Sequence, residues 1–172
     1  MPLRVGLVTS ADSAAAADVL HQFERSGVGW QITVVDTRVQ GFGSAAHVAA
    51  SLSVAARLPL DVVLLVRGGG SRTDLVTFDD ETVARTIAAM PIPVLTGIGH
   101  EIDESVADHV AHRAFTTPTA VASFLCELVA SYRARCDDLW LRLARRSIAV
   151  LDHADARLAA ASARIAGGAR NT

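Results

Sequence analysis

Apolar positions in the first hundred residues form short continuous runs, separated by longer alanine-rich segments with helical spacing. The runs RVGLVT (4–9), WQITVVDT (30–37), DVVLLV (61–66) and VLTGIG (94–99) are rich in Val, Ile or Leu and bounded by turn residues, which predicts four β-strands. Ser10 to Ser13 supply caps for a helix over 14–26 that turns Val19, Leu20 and Phe23 inward. GFGS leads into a helix over about 45–58, and Asp79 or Asp80 caps a third that ends near Met90, before Pro91 and Pro93. The third strand is almost wholly apolar, as a central parallel strand is when helices cover both of its faces.

Strands alternating with helices and joined by right-handed crossovers predict the α/β class: an open, mainly parallel, Rossmann-like sheet of about four strands with flanking helices. From Pro118 the pattern changes. Thr117 as N-cap and Pro118 at the first helical position begin a segment whose apolar residues, among them Val121, Leu125, Leu128, Leu139, Leu143 and Val150, recur at spacings of 4, 3, 4 and 4. That eleven-residue period, about 3.67 residues per turn, predicts a long straight or slightly right-handed helix that ends at Gly167 and Gly168. A stripe of that length exceeds what one small domain can bury, so part of it packs on another chain or another helix; a hairpin of two shorter helices is the alternative. The predicted organisation is an α/β core over 1–117 and a helical arm over 118–172.

Composition changes this picture in four places. With 172 residues, 51% of them hydrophobic, the chain buries one core. Its longest apolar runs are six or seven residues and MPLRVGLVTS lacks a basic region followed by an apolar stretch, so it is expected to be cytoplasmic with no membrane segment. The net charge of −2 gives no whole-molecule case for nucleic acid, but residues 1–132 carry 8 Arg against 14 acids and residues 133–172 carry 8 Arg against 4. The arm is basic and the body acidic. Cys126 and Cys136 stand ten residues apart on one predicted helix, ~15 Å along its axis, too far for a disulfide.

In a sheet wound this way Ser10, Arg67 and His100 all lie at carboxyl ends of strands, where ligands bind. RGGGS (67–71) places Gly68, Gly69, Gly70 and Ser71 after an arginine, so backbone amides can approach an anion and Arg67 can add a planar charged fork. As a fork at a strand end, Arg67 is expected to contribute little to the core. It is not the Walker phosphate loop, which ends in Gly-Lys-Ser/Thr. In GIGHEIDESVAD, His100 has acids beside it, including Asp103; it can act as an acid or base near neutral pH, or His100 and Asp103 can bind a divalent ion. Asp18 lies one or two turns into the first helix, near the same edge of the sheet.

Several motifs, in order over roughly residues 4–125, together resemble the exodeoxyribonuclease VII large-subunit family: LVTS with AAAAD, TRVQG, RGGGS with DL and F-x-x-E in SRTDLVTFDDE, GIGHEID, and TTPTAVA. The resemblance implies an exonuclease degrading single-stranded DNA to short oligonucleotides, with Arg67, His100, Asp103 and Asp18 as its active-site group. It also implies a small helical subunit docking on the helical region, with self-pairing of the arm when that subunit is missing. Asp103 then orients His100, or shares Mg2+ or Mn2+ with Asp18. Where the family pattern has Ala-Asp-x-Arg-Ala, this chain has Ala111, His112, Arg113, Ala114 and Phe115. A non-catalytic anion- or nucleotide-binding module with a helical oligomerisation arm is the alternative reading.

Overall fold

The computed structural model describes residues 3–69, 72–99 and 104–168. Its elements follow in the order β1 (Arg4–Thr9), α1 (Ala14–Arg25), β2 (Gln31–Asp36), α2 (Ser44–Ala55), β3 (Val62–Val66), a 3-10 segment (Arg72–Thr77), α3 (Glu81–Ala88), β4 (Val94–Gly97), α4 (Val106–Val110), β5 (Arg113–Ala114) and α5 (Pro118–Gly168). The sheet is parallel, in the order β2-β1-β3-β4-β5. It therefore has five strands where the sequence predicts four. The fifth is a two-residue edge strand placing Arg113 beside Leu95 and Ala114 beside Thr96.

Strand alternation divides the core into two layers. Val63 and Leu65 face one side and pack with Val48 and Leu52 of α2, Val83 and Ile87 of α3, and Ala107 of α4. Val62, Leu64 and Val66 face the other, with Val19 and Phe23 of α1 and Val121, Ala122 and Leu125 of α5. All five residues of β3 are buried, each contributing roughly 1.5–3 kcal/mol by leaving water. The caps are local in origin: the Ser13 hydroxyl accepts from Ala16 N, Asp80 from Thr82 N, and Thr117 from Ala120 N.

At the amino ends of the strands, Asp61 ties β1 to the start of β3. It accepts from Leu3 N and Arg4 N at 3.1 and 3.0 Å and from the Arg4 guanidinium at 2.6 Å. The Arg4 side chain, then its backbone N–H, holds the Asp61 carboxyl well below the usual carboxylate range.

The second glycine cluster serves packing. A Cβ on Gly97 would stand 2.6 Å from Val121 Cγ2, 3.0 Å from Thr117 O and 3.2 Å from Pro118 Cα. Gly99, at φ +79, passes close to Thr116 O. These two glycines let the first turn of α5 sit directly on the end of β4.

The 51 residues of α5 form one unbroken helix, not a hairpin. Its residues up to Val129 belong to a compact unit, Met1–Val129, and those from Ala130 to a second, Ala130–Thr172. In that second unit Leu139, Trp140, Leu143, Val150, Leu151 and Leu158 are exposed. Cys126 and Cys136 are free thiols, as their spacing predicts. Among the described residues no helix is long and apolar enough to cross a membrane.

Candidate functional site

Strand order creates the site. The chain leaves β1 toward the α1 and α5 layer and leaves β3 toward the α2 and α3 layer, so the two loops diverge and open a crevice between neighbouring carboxyl ends. A cavity of about 450 Å³ fills it, lined by Ser10, Ser13, Ala14, Ala15, Arg38, Val39, Gln40, Arg67, Gly68 and Gly69.

Three fastenings hold its walls. Ala11 N donates to Asp36 Oδ1 at 2.8 Å and Thr37 N to Thr9 O at 3.0 Å, joining the loops after β1 and β2. Arg67 N donates to Gly97 O at 3.2 Å, joining the ends of β3 and β4. The first turn of α1 presents the positive end of a twelve-residue helix to the cavity.

Arg67 differs from the sequence expectation. It is 1% exposed and is among the largest fully buried side chains, so it belongs to the core as well as to the cavity wall. An arginine that ends an apolar strand reads as exposed, yet its burial is set by segments distant in sequence. Gly68 and Gly69 stand beside it. A Cβ on Gly68 would meet Ala15 Cβ at 3.5 Å, an ordinary contact, and one on Gly69 would meet nothing within 4 Å. Neither glycine has positive φ, so backbone strain does not require them there. Both line the cavity.

Ser10, Arg67, Gly68 and Gly69 are thus brought together as the sequence expects. Asp18 lies on the exposed side of α1, away from the buried Ala15, Ala16, Val19 and Phe23, and is not part of the cavity lining. Gly70, Ser71, His100 and Asp103 lie outside the described residues. Among the described residues no three His, Cys, Asp or Glu side chains are grouped to hold a metal ion.

Sequence reasoning missed Arg38 and Gln40. The signal was available, because TRVQG follows β2 at its carboxyl end, where Ser10 and Arg67 follow β1 and β3. Val39 between them is buried, and its insertion into the core leaves Arg38 and Gln40 exposed on the cavity rim.

Comparison with known proteins adds identity to this geometry. A profile of the family described as Exonuclease VII, large subunit, matches residues 1–172. The exodeoxyribonuclease 7 large subunit of Bordetella avium (strain 197N) is 41% identical over 166 residues, covering 96% of this chain and 37% of that one. The protein of the same name from Thiobacillus denitrificans (strain ATCC 25259 / T1) is 43% identical over 155 residues, 90% of this chain and 34% of the relative. That from Pseudomonas aeruginosa (strain LESB58) is 38% identical over 145 residues, 84% and 32%. The chain spans about a third of the length of these curated relatives.

Proposed function

We infer that this chain, which belongs to the exonuclease VII large-subunit family, holds a phosphodiester of single-stranded DNA in the crevice between β1 and β3 and hydrolyses it, releasing short oligonucleotides. The observation that carries the reading is Arg67, a guanidinium 1% exposed that also lines a cavity of about 450 Å³ at the point where the strand order reverses. Removal from water strengthens its attraction to an anion, and its planar fork matches two non-bridging phosphate oxygens. Gly68 and Gly69 leave room for the phosphate to reach the backbone, and the start of α1 adds its partial positive charge.

Hydrolysis joins a water oxygen to phosphorus as one ester P–O bond breaks. A base takes the proton of the water, and an acid supplies one to the departing oxygen. His100 is the group we assign to these transfers, with Asp103 orienting its ring; Arg67 stabilises the charge that builds on the phosphoryl oxygens. In the alternative arrangement Asp103 would share Mg2+ or Mn2+ with Asp18, and the ion would supply positive charge to the phosphate oxygens. Among the described residues no three His, Cys, Asp or Glu side chains group around Asp18 to hold such an ion.

The exposed apolar face of α5 belongs to the same reading. Leu139, Leu143, Val150 and Leu158 are each more than half exposed, and large apolar side chains in a row on a helix mark an interaction surface. We assign it to a small helical subunit, or to a second copy of this chain when that subunit is missing.

The test is incubation with end-labelled single-stranded DNA, with and without magnesium or manganese, read as short acid-soluble products. Because Arg67 is buried, Arg67→Lys is the informative variant: it keeps the charge, loses the fork, and is expected to lose much of the turnover. His100→Ala is expected to lose on the order of 10²- to 10⁴-fold in rate and one limb of the pH profile. Wild-type turnover in Arg67→Lys would remove Arg67 from the chemistry. Binding without turnover would reassign the chain to the non-catalytic anion-binding module.

A further inference from the structure

The cavity carries a second arginine of a different kind. Arg67 is enclosed, whereas Arg38 is exposed on the rim of the same cavity. β2 and β3 flank β1, so the strands that deliver the two arginines are two strand spacings, roughly 10 Å, apart. One phosphate sunk against Arg67 leaves Arg38 over the strand to one side of it.

The backbone that carries Arg38 is held in place. Val39 is 6% exposed and anchored in the core, and Thr37 N is bonded to Thr9 O. The nearby Asp36 carboxylate accepts from Ala11 N at 2.8 Å. A hydrated guanidinium carried by a backbone anchored at the cavity rim suits a phosphate that stays in water.

We propose that Arg38 is a strand-positioning residue that grips the phosphate next to the scissile one, so that the crevice binds two consecutive phosphates of single-stranded DNA, one buried against Arg67 and one at the rim. The inference rests on the reading of the crevice as a single-strand site. It adds a contact beyond the expected active-site group, and one that TRVQG supplies from β2. Arg38 touches no reacting bond in this arrangement; its contribution is grip and register.

Each phosphate neutralised on a single strand releases condensed counterions, giving a slope of about −0.7 per contact in log affinity against log salt. The experiment is a salt titration of binding to a fluorescent oligothymidylate, read by anisotropy, with the full chain. Arg38→Gln, at an exposed position, is expected to fold as the wild type does and to reduce the magnitude of the slope by about 0.7. Arg38→Lys, which keeps the charge, is expected to retain it. An unchanged slope in Arg38→Gln, with wild-type binding intact and Arg67→Lys weakened, overturns the role of Arg38 and leaves the crevice reading standing. Failure of the wild type to bind the strand at low salt overturns both.

Discussion

Gly97→Ala tests a close packing contact in the α/β unit. The added methyl carbon would lie 2.6 Å from Val121 Cγ2, and no real carbon pair tolerates that separation. Val121 is β-branched and fully buried, so rotating its side chain away has few open rotamers. Two further contacts are with backbone, Thr117 O at 3.0 Å and Pro118 Cα at 3.2 Å, and only a shift of the first turn of α5 relieves them. Overpacking of this kind costs about 1–3 kcal/mol, which lowers Tm by roughly 4–12 °C in a unit of this size. Urea unfolding followed by circular dichroism measures it. Val121→Ala alone removes buried methyl groups and costs about 2 kcal/mol. The two changes together are expected to cost at least 0.5 kcal/mol less than their separate costs combined, because the smaller side chain makes room for the new methyl. Gly97→Ala as stable as the wild type, or strictly additive costs in the double variant, would refute the argument that this glycine exists for the approach of α5.

Two other outcomes are expected. Asp61 has its carboxyl held below the usual range by Arg4, so its stabilising effect is complete above the unfolded value near pH 4 and is lost as pH falls through the depressed folded value; urea midpoints of wild type and Asp61→Asn should therefore differ at neutral pH and converge in strong acid. Light scattering on the chain alone should give a dimer or larger species, and Leu139→Asp with Leu143→Asp should reduce it to monomer; a wild type that is monomeric at high concentration removes the assignment of that face to association.

Much of the sheet is legible in sequence because local signals and tertiary demands agree there. The unbroken apolar run Val62–Val66 requires helices on both faces, and both are present. Ser13, Asp80 and Thr117 cap the helices they precede. β5 escapes such reading because two residues, Arg113 and Ala114, leave no period to detect and pair only because β4 is already there. Likewise the glycines at the end of β4 suggest a ligand loop by composition, while their packing role appears only once α5, more than fifteen residues later, is placed against them.

The site divides along the same line. Ser10, Arg67, Gly68 and Gly69 follow from the rule that ligands gather at carboxyl ends of parallel strands, and the same rule applied to TRVQG would have found Arg38. The burial of Arg67 does not follow, because no local pattern records what packs around a strand end. Asp18 entered through family resemblance, and the amphipathic pattern of α1 leaves it on the exposed side.

The strand order also bears on how the chain reaches this state. β1 precedes the other strands in sequence but lies inside the sheet, between β2 and β3. It can pair with β2 early, yet its other edge waits for β3, and the bond from Arg4 to Asp61 spans 57 residues. At roughly 5–20 residues per second, synthesis leaves that edge open for about 3–11 s, with Val5, Leu7 and Val8 facing no finished core. Non-local pairing of this kind is slow to form and prone to wrong partners while it waits. The nascent chain is therefore most vulnerable to aggregation before DVVLLV emerges, and fragments ending ahead of Asp61 should be insoluble where those that include β3 and β4 are not.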